Sequence, residues 1–157
     1  MLFEKHKKAD NQNGNLMKLT IELIPRSAWF KNLRNYVKAS EWDRIRKKCY
    51  QDANYRCEVC NGVGKRHPVE CHEVWEFTNN QIILKKLIAL CPSCHEVKHM
   101  GRASVTGNLE RAVNHFIKIN QVTEEEAEKY IKEAFSLYHE RPKQNWELDI
   151  NALQDYL

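Results

Sequence analysis

Two Cys-x-x-Cys knuckles, Cys57-Glu58-Val59-Cys60 and Cys91-Pro92-Ser93-Cys94, constrain this chain more than any other feature. A tight turn over a two-residue gap presents both sulfurs of a knuckle to one ion, and two knuckles supply the four ligands of a tetrahedral zinc at about 2.3 Å. Four unmetallated cysteines would need that spacing to coincide twice. Such a site commonly contributes on the order of 10–16 kcal/mol of metal-linked folding free energy, more than a small core leaves as net stability. A closed four-thiolate site has no open position, so its expected role is to scaffold. Whatever lies in residues 61–90 is returned by the cross-link to His95, which follows the second knuckle directly.

The six cysteines come with no apolar leader behind the basic Met1–Lys8 stretch and no run approaching a membrane span. Metal ligation in a reducing, cytoplasmic setting is therefore expected rather than disulfides. With 157 residues, 42% hydrophobic and 29% charged, the chain has room for one modest core, and a single domain over residues 16–157 is expected after a disordered basic tail at 1–15. The net charge of +4 is unevenly spread. Lys31, Arg34, Lys38, Arg44, Arg46, Lys47, Lys48, Lys65 and Arg66 crowd the first half, whereas Glu124, Glu125 and Glu126 gather later. A basic front half suits a phosphate backbone, because each neutralised phosphate releases counterions. Taken singly, each lysine is an ordinary solvated side chain.

Periodicity and turn chemistry place the elements. Residues 16–24 partly alternate and stop at Pro25, predicting a strand, with Trp29 and Phe30 anchoring the connection. A helix is expected from Ser40, as N-cap, to about Asn54, with Trp42, Ile45, Cys49 and Tyr50 on its apolar face. Val69 to Phe77 and Ile82 to Leu90 read as an antiparallel pair turning at Thr78-Asn79-Asn80. A helix follows Cys91-Pro92 and is expected to end at Gly101. The remainder, 105–157, is a helical extension: Gly107 to Asn120, then Thr123 to about Glu140, where Thr123 and Glu126 form a capping box. Trp146 to Ile150 is a possible strand, followed by a short helical turn. The fold class is α+β. Gly62-Val63-Gly64 with Lys65-Arg66 lacks the phosphate-loop pattern and reads as a knuckle turn.

His95 and His99 are four residues apart, so on a helix they share one face. His72 lies on the strand that the cross-link returns to that helix. A strand pair packed on a helix, with His72 from one and His95 from the other, can hold a divalent ion beside a general base. For a phosphodiester, the base deprotonates water while the ion stabilises charge on the scissile phosphate. Imidazole, with an ordinary pKa near about 6.5, suits the work. No partner is evident for His67, His115 or His139.

The stretch 57–101, with its two knuckles, Glu70-Cys71-His72-Glu73 and Cys94-His95 followed by His99, resembles the zinc-stapled HNH endonucleases. The resemblance implies their ββα-metal fold, a two-stranded hairpin packed on a helix, with structural Zn2+ on Cys57, Cys60, Cys91 and Cys94. It implies His72 as general base and His95 as helix-borne ligand of a second divalent ion, Mg2+, Mn2+, Ni2+ or Zn2+. Many members of that family carry Asp or His before the base, where this chain has Cys71. A soft thiolate favours zinc over magnesium, so either the metal differs or Glu70, Glu73 or His99 completes the shell. The family's middle Asn falls near Lys86.

A metal-dependent DNA endonuclease is therefore expected, with DNA as partner, no membrane, and Arg44, Arg46, Lys47, Lys48, Lys65, Arg66, Lys86 and Lys98 as the backbone-contacting cations. The alternatives are a zinc-stabilised nucleic-acid-binding module that does not cut, and a protein-interaction domain working through its C-terminal helices. No motif specifies oligomeric state.

Overall fold

The structure is a computed structural model that describes residues 17–24, 33–78, 80–140 and 146–157. The expected tail at 1–15, the Trp29-Phe30 anchor, Asn79 of the hairpin turn and the Arg141-Pro142 helix stop lie outside the described residues. The architecture is mixed α+β, with a three-stranded sheet and several helices among the described residues. By contact the chain falls into two compact units. One comprises the described parts of 24–92 and 142–157, the other those of 1–23 and 93–141.

In the unit containing the sheet, helix α1 spans Ala39–Asp52. Its start differs from expectation: Glu41 reaches back to accept the Lys38 backbone N–H at 3.0 Å, so the helix begins before Ser40, which sits in its first turn. It stops where Asn54 and Tyr55 take φ of 51° and 56°, the left-handed region that ends an L-residue helix. Strands β1 (Glu70–Thr78) and β2 (Gln81–Leu90) form the expected antiparallel hairpin, within a residue or two of the anticipated bounds. β3 (Glu147–Asp149) joins β2 in parallel, and a 3-10 turn, Asn151–Tyr156, follows.

The register is irregular at one point. Val74 pairs with Lys86 but Trp75 pairs with Leu84, so Lys85 is an extra, bulged residue. Opposed residues share a face and alternate along each strand. One face therefore carries Cys71 opposite Ala89, Glu73 opposite Leu87 and Trp75 opposite Leu84; without the bulge Leu84 and Leu87 would point oppositely. That face packs with Ile45 and Cys49 of α1, Leu33, Val69 and Leu153 into the unit's main core. Each such fully buried aliphatic stabilises the fold by about 1.5–3 kcal/mol. The other face carries Glu70, His72 and Val74 opposite Leu90, Ile88 and Lys86. Tyr156 covers part of the β2 edge: its hydroxyl accepts the Leu87 N–H at 3.0 Å and donates to the Leu87 carbonyl at 3.3 Å.

The second unit holds α2 (Pro92–Lys98) from Ser93 onward, α3 (Met100–Val105), α4 (Leu109–Asn120) and α5 (Glu124–Glu140). The helix after Cys91 does not end at Gly101. It breaks at His99 and resumes through Gly101, where an added Cβ would touch Leu23 at 3.4 Å. α5 begins as anticipated, with Thr123 Oγ1 accepting the Glu126 N–H at 3.1 Å and Glu126 accepting the Thr123 N–H at 2.8 Å. Residues 17–24 are not a strand. Leu19 and Ile21 do point inward, but helical side chains replace a neighbouring strand. Asn120 accepts the Leu19 N–H at 3.0 Å and donates to the Leu19 carbonyl at 2.9 Å. Tyr130 accepts the Ile21 N–H at 3.4 Å, and the Lys98 carbonyl accepts the Glu22 N–H at 3.1 Å.

Candidate metal centres

The first knuckle is a tight turn in which the Asn61 N–H reaches the Cys57 carbonyl at 2.8 Å and the Cys57 N–H reaches the Gly62 carbonyl at 3.0 Å. Asn61 takes φ of 60°, and the Gly62 N–H donates to Cys60 Sγ at 3.4 Å. Glu58 ties this knuckle to the end of β2. Its backbone N–H donates to the Ala89 carbonyl at 2.9 Å, and its carboxylate accepts the Ala89 N–H at 2.6 Å. Cys91 follows Ala89 by two residues, so that clamp sets the spacing between knuckles. Gly64 is required nearby: a Cβ there would collide with the His67 carbonyl oxygen and meet Pro92 Cδ at 2.7 Å.

The sulfurs of Cys57, Cys60, Cys91 and Cys94 all lie within 4.8 Å of one another, and Cys60 and Cys91 Sγ are 3.7 Å apart. Sulfurs placed about 2.3 Å from a central ion at tetrahedral corners are about 3.8 Å apart. The four cysteines are thus positioned to bind a metal ion, as their spacing anticipated.

A second group comprises His72, His95 and His99, whose donor atoms also lie within 4.8 Å of one another. His95 and His99 bring their Nε2 atoms to 3.1 Å, with ring centroids at 4.8 Å. The i, i+4 spacing survives the helix break because the His99 N–H still reaches the His95 carbonyl, at 3.2 Å. His72, 2% exposed, comes from β1.

The other expected ligands are not in this group. Cys71 alternates to the opposite face of β1 from His72 and packs into the α1 core. Its thiol hydrogen-bonds Cys49, and that bond, with burial, pushes its pKa far above the usual thiol range. Placed on that face, the thiol is outside the group formed by the three histidines. Cys49, expected as core, is core. Glu70 is not among the residues of this group, and it pairs with His67 Nε2 at 2.9 Å.

The cations are likewise sorted. Arg44, Lys65, Arg66 and Lys86 are exposed. Arg46 and Lys47 both pair with Asp43, and Lys48 with Asp52 at 3.2 Å. Hydrogen bonds from Lys47 and Arg46 hold the Asp43 carboxyl below its ordinary value. Lys98, expected to face phosphate, is 5% exposed, with Nζ donating to Thr20 Oγ1 at 2.8 Å and to Glu22 at 3.2 Å. Spacing gave no warning of this, because the partners lie far away in sequence. Sequence reasoning also left His115 without a partner, and its Nε2 stands 3.2 Å from Cys94 Sγ. No helix among the described residues is long and apolar enough to cross a membrane. Comparison with protein-family models, with curated proteins and with solved structures gives no match to this chain.

Proposed function

We propose that this chain is a metal-dependent DNA endonuclease of the HNH type, built on a ββα-metal unit braced by zinc at Cys57, Cys60, Cys91 and Cys94. The observation that carries this reading is the convergence of the His72, His95 and His99 donor atoms within 4.8 Å. Imidazoles suit zinc, nickel and related divalent ions. His95 and His99 would hold the ion, which when bound supplies charge neutralisation at the scissile phosphate and the leaving oxygen. His72 accepts the proton of the attacking water, and its burial keeps bulk solvent from competing for that nitrogen. Lys86 shares the His72 face of the hairpin and is exposed, which supports a role in pairing with a backbone phosphate. Arg44, Lys65 and Arg66 extend the sequence-independent contact with duplex.

The test is conversion of supercoiled plasmid to open circle after EDTA treatment and readdition of magnesium, manganese, nickel or zinc singly. Wild type is expected to nick with at least one transition metal, and His72→Ala to be slower by about 100-fold or more. Equal rates for the two proteins under every metal would sink the reading. Cys71 supports a second reading. The position where many members of the HNH family carry a ligand is turned into the core here, which favours a zinc-stabilised nucleic-acid-binding module that does not cut. Salt-dependent DNA binding without nicking in any metal selects it.

A further inference from the structure

His115, on α4, puts its Nε2 atom 3.2 Å from Sγ of Cys94, which is fully buried. Four residues earlier, Arg111 donates from Nε to Glu96 at 2.9 Å. α4 therefore holds α2 at two successive points, one of them a sulfur of the four-cysteine centre. A cysteine bound to metal is a thiolate with no proton to give. With metal in place, the hydrogen between these atoms belongs to the imidazole, so Nε2 donates and Sγ accepts. Four thiolates around one divalent ion leave the centre dianionic, and N–H donors spread that charge. Cys60 receives such a donor from the Gly62 backbone at 3.4 Å. Cys94 receives one from a side chain, which mutation can remove.

We propose that His115 is a positioning residue for the zinc centre. Its Nε2–H donates to the Cys94 thiolate, draws charge from the sulfur, and slows loss of zinc to protons and electrophiles. The inference rests on the four cysteines holding zinc and is independent of cleavage. Outer partners of metal ligands act in this way generally: they orient the ligand and tune its basicity. A packing role alone would be kept by any ring of the same size, whereas the proposed role needs the donor.

The experiment compares wild type with His115→Phe, which keeps the ring and removes the donor, and His115→Gln, which keeps an N–H near the Nε2 position. His115→Leu serves as a second donor-free protein should the phenyl ring prevent folding. Zinc content of the wild type is measured first by elemental analysis; a wild type that takes up no zinc overturns the zinc reading and this inference with it. Release of zinc on addition of N-ethylmaleimide is then followed with a chelating dye. The donor-free proteins are expected to release zinc about tenfold faster than wild type, and His115→Gln at close to the wild-type rate. In the cobalt-substituted proteins, the sulfur-to-metal charge-transfer band is expected to move to lower energy for Phe and Leu but not for Gln. Wild-type release rates in all variants would overturn the proposal. So would His115→Gln behaving like His115→Phe, because the effect would then come from packing. A wild type that holds zinc but nicks no plasmid under any metal would count against the nuclease reading alone.

Discussion

Cys71 is separated from His72 by one peptide bond and from its chemistry by the whole thickness of the sheet. Alternation along β1 sends the imidazole to one face and the thiol to the other, where Cys49 hydrogen-bonds it and raises its pKa. A raised thiol pKa means that the protonated, folded form is favoured; its stabilising contribution is present below the unfolded thiol value and is lost as pH rises above it. Cys71→Ala is therefore expected to leave metal content unchanged and to lower stability by about 1 kcal/mol in denaturant unfolding. A fall in bound metal would instead restore Cys71 as a ligand. Lys98 and Asp43 teach the same lesson about charge. Lys98 is consumed by Thr20 and Glu22, and Asp43 neutralises two of the cations of α1. Of the eight cations expected to contact a backbone, Arg44, Lys65, Arg66 and Lys86 are exposed and lie outside these pairs.

At the scale of elements, the knuckle depends on its turn as much as on its cysteines. The segment after Cys60 passes so close to Pro92 that Gly64 has no room for a side chain. Gly64→Ala is expected to push the turn from Pro92, loosen both knuckles, and weaken zinc binding by about tenfold in chelator competition. Unchanged affinity would mean that the loop relaxes without disturbing the sulfurs. The hairpin, α1 and α5 were legible in the sequence because their signals are local: alternation in β1, helical spacing of Ile45 and Cys49, and the Thr123/Glu126 cap. The cysteine group was legible because ligand spacing is itself local within each knuckle. The segment 17–24 was misread because alternation reports only that every second residue is buried, not whether a strand or helical side chains cover it. The partners that decided it, Asn120 and Tyr130, lie about a hundred positions away. His115 was missed for the same reason: a single contact across sequence has no period.

For the molecule as a whole, the metal is expected to be a condition of folding. The described core residues are modest in number and divided between two compact units, and four sulfurs drawn within 4.8 Å are unfavourable neighbours once ionised without a cation. Chelation of zinc under reducing conditions is expected to lower the melting temperature by at least about 10 °C, and readdition of zinc to recover it. A melting curve indifferent to verified zinc removal would show that the fold stands without it.

The bulge in β2 has a consequence for how the gene can change length. Loss of one codon within a strand normally turns every residue beyond it to the wrong side. Lys85 is the exception: without it Lys86 still meets Val74, Leu84 still meets Trp75, and the ladder runs on in regular order. A single-codon deletion there leaves the same side chains in the core, whereas one between Leu87 and Leu90 turns the outer half of the hairpin over. Along β2, that one position is where the reading frame of the fold, as distinct from that of the message, can lose a step and stay in phase.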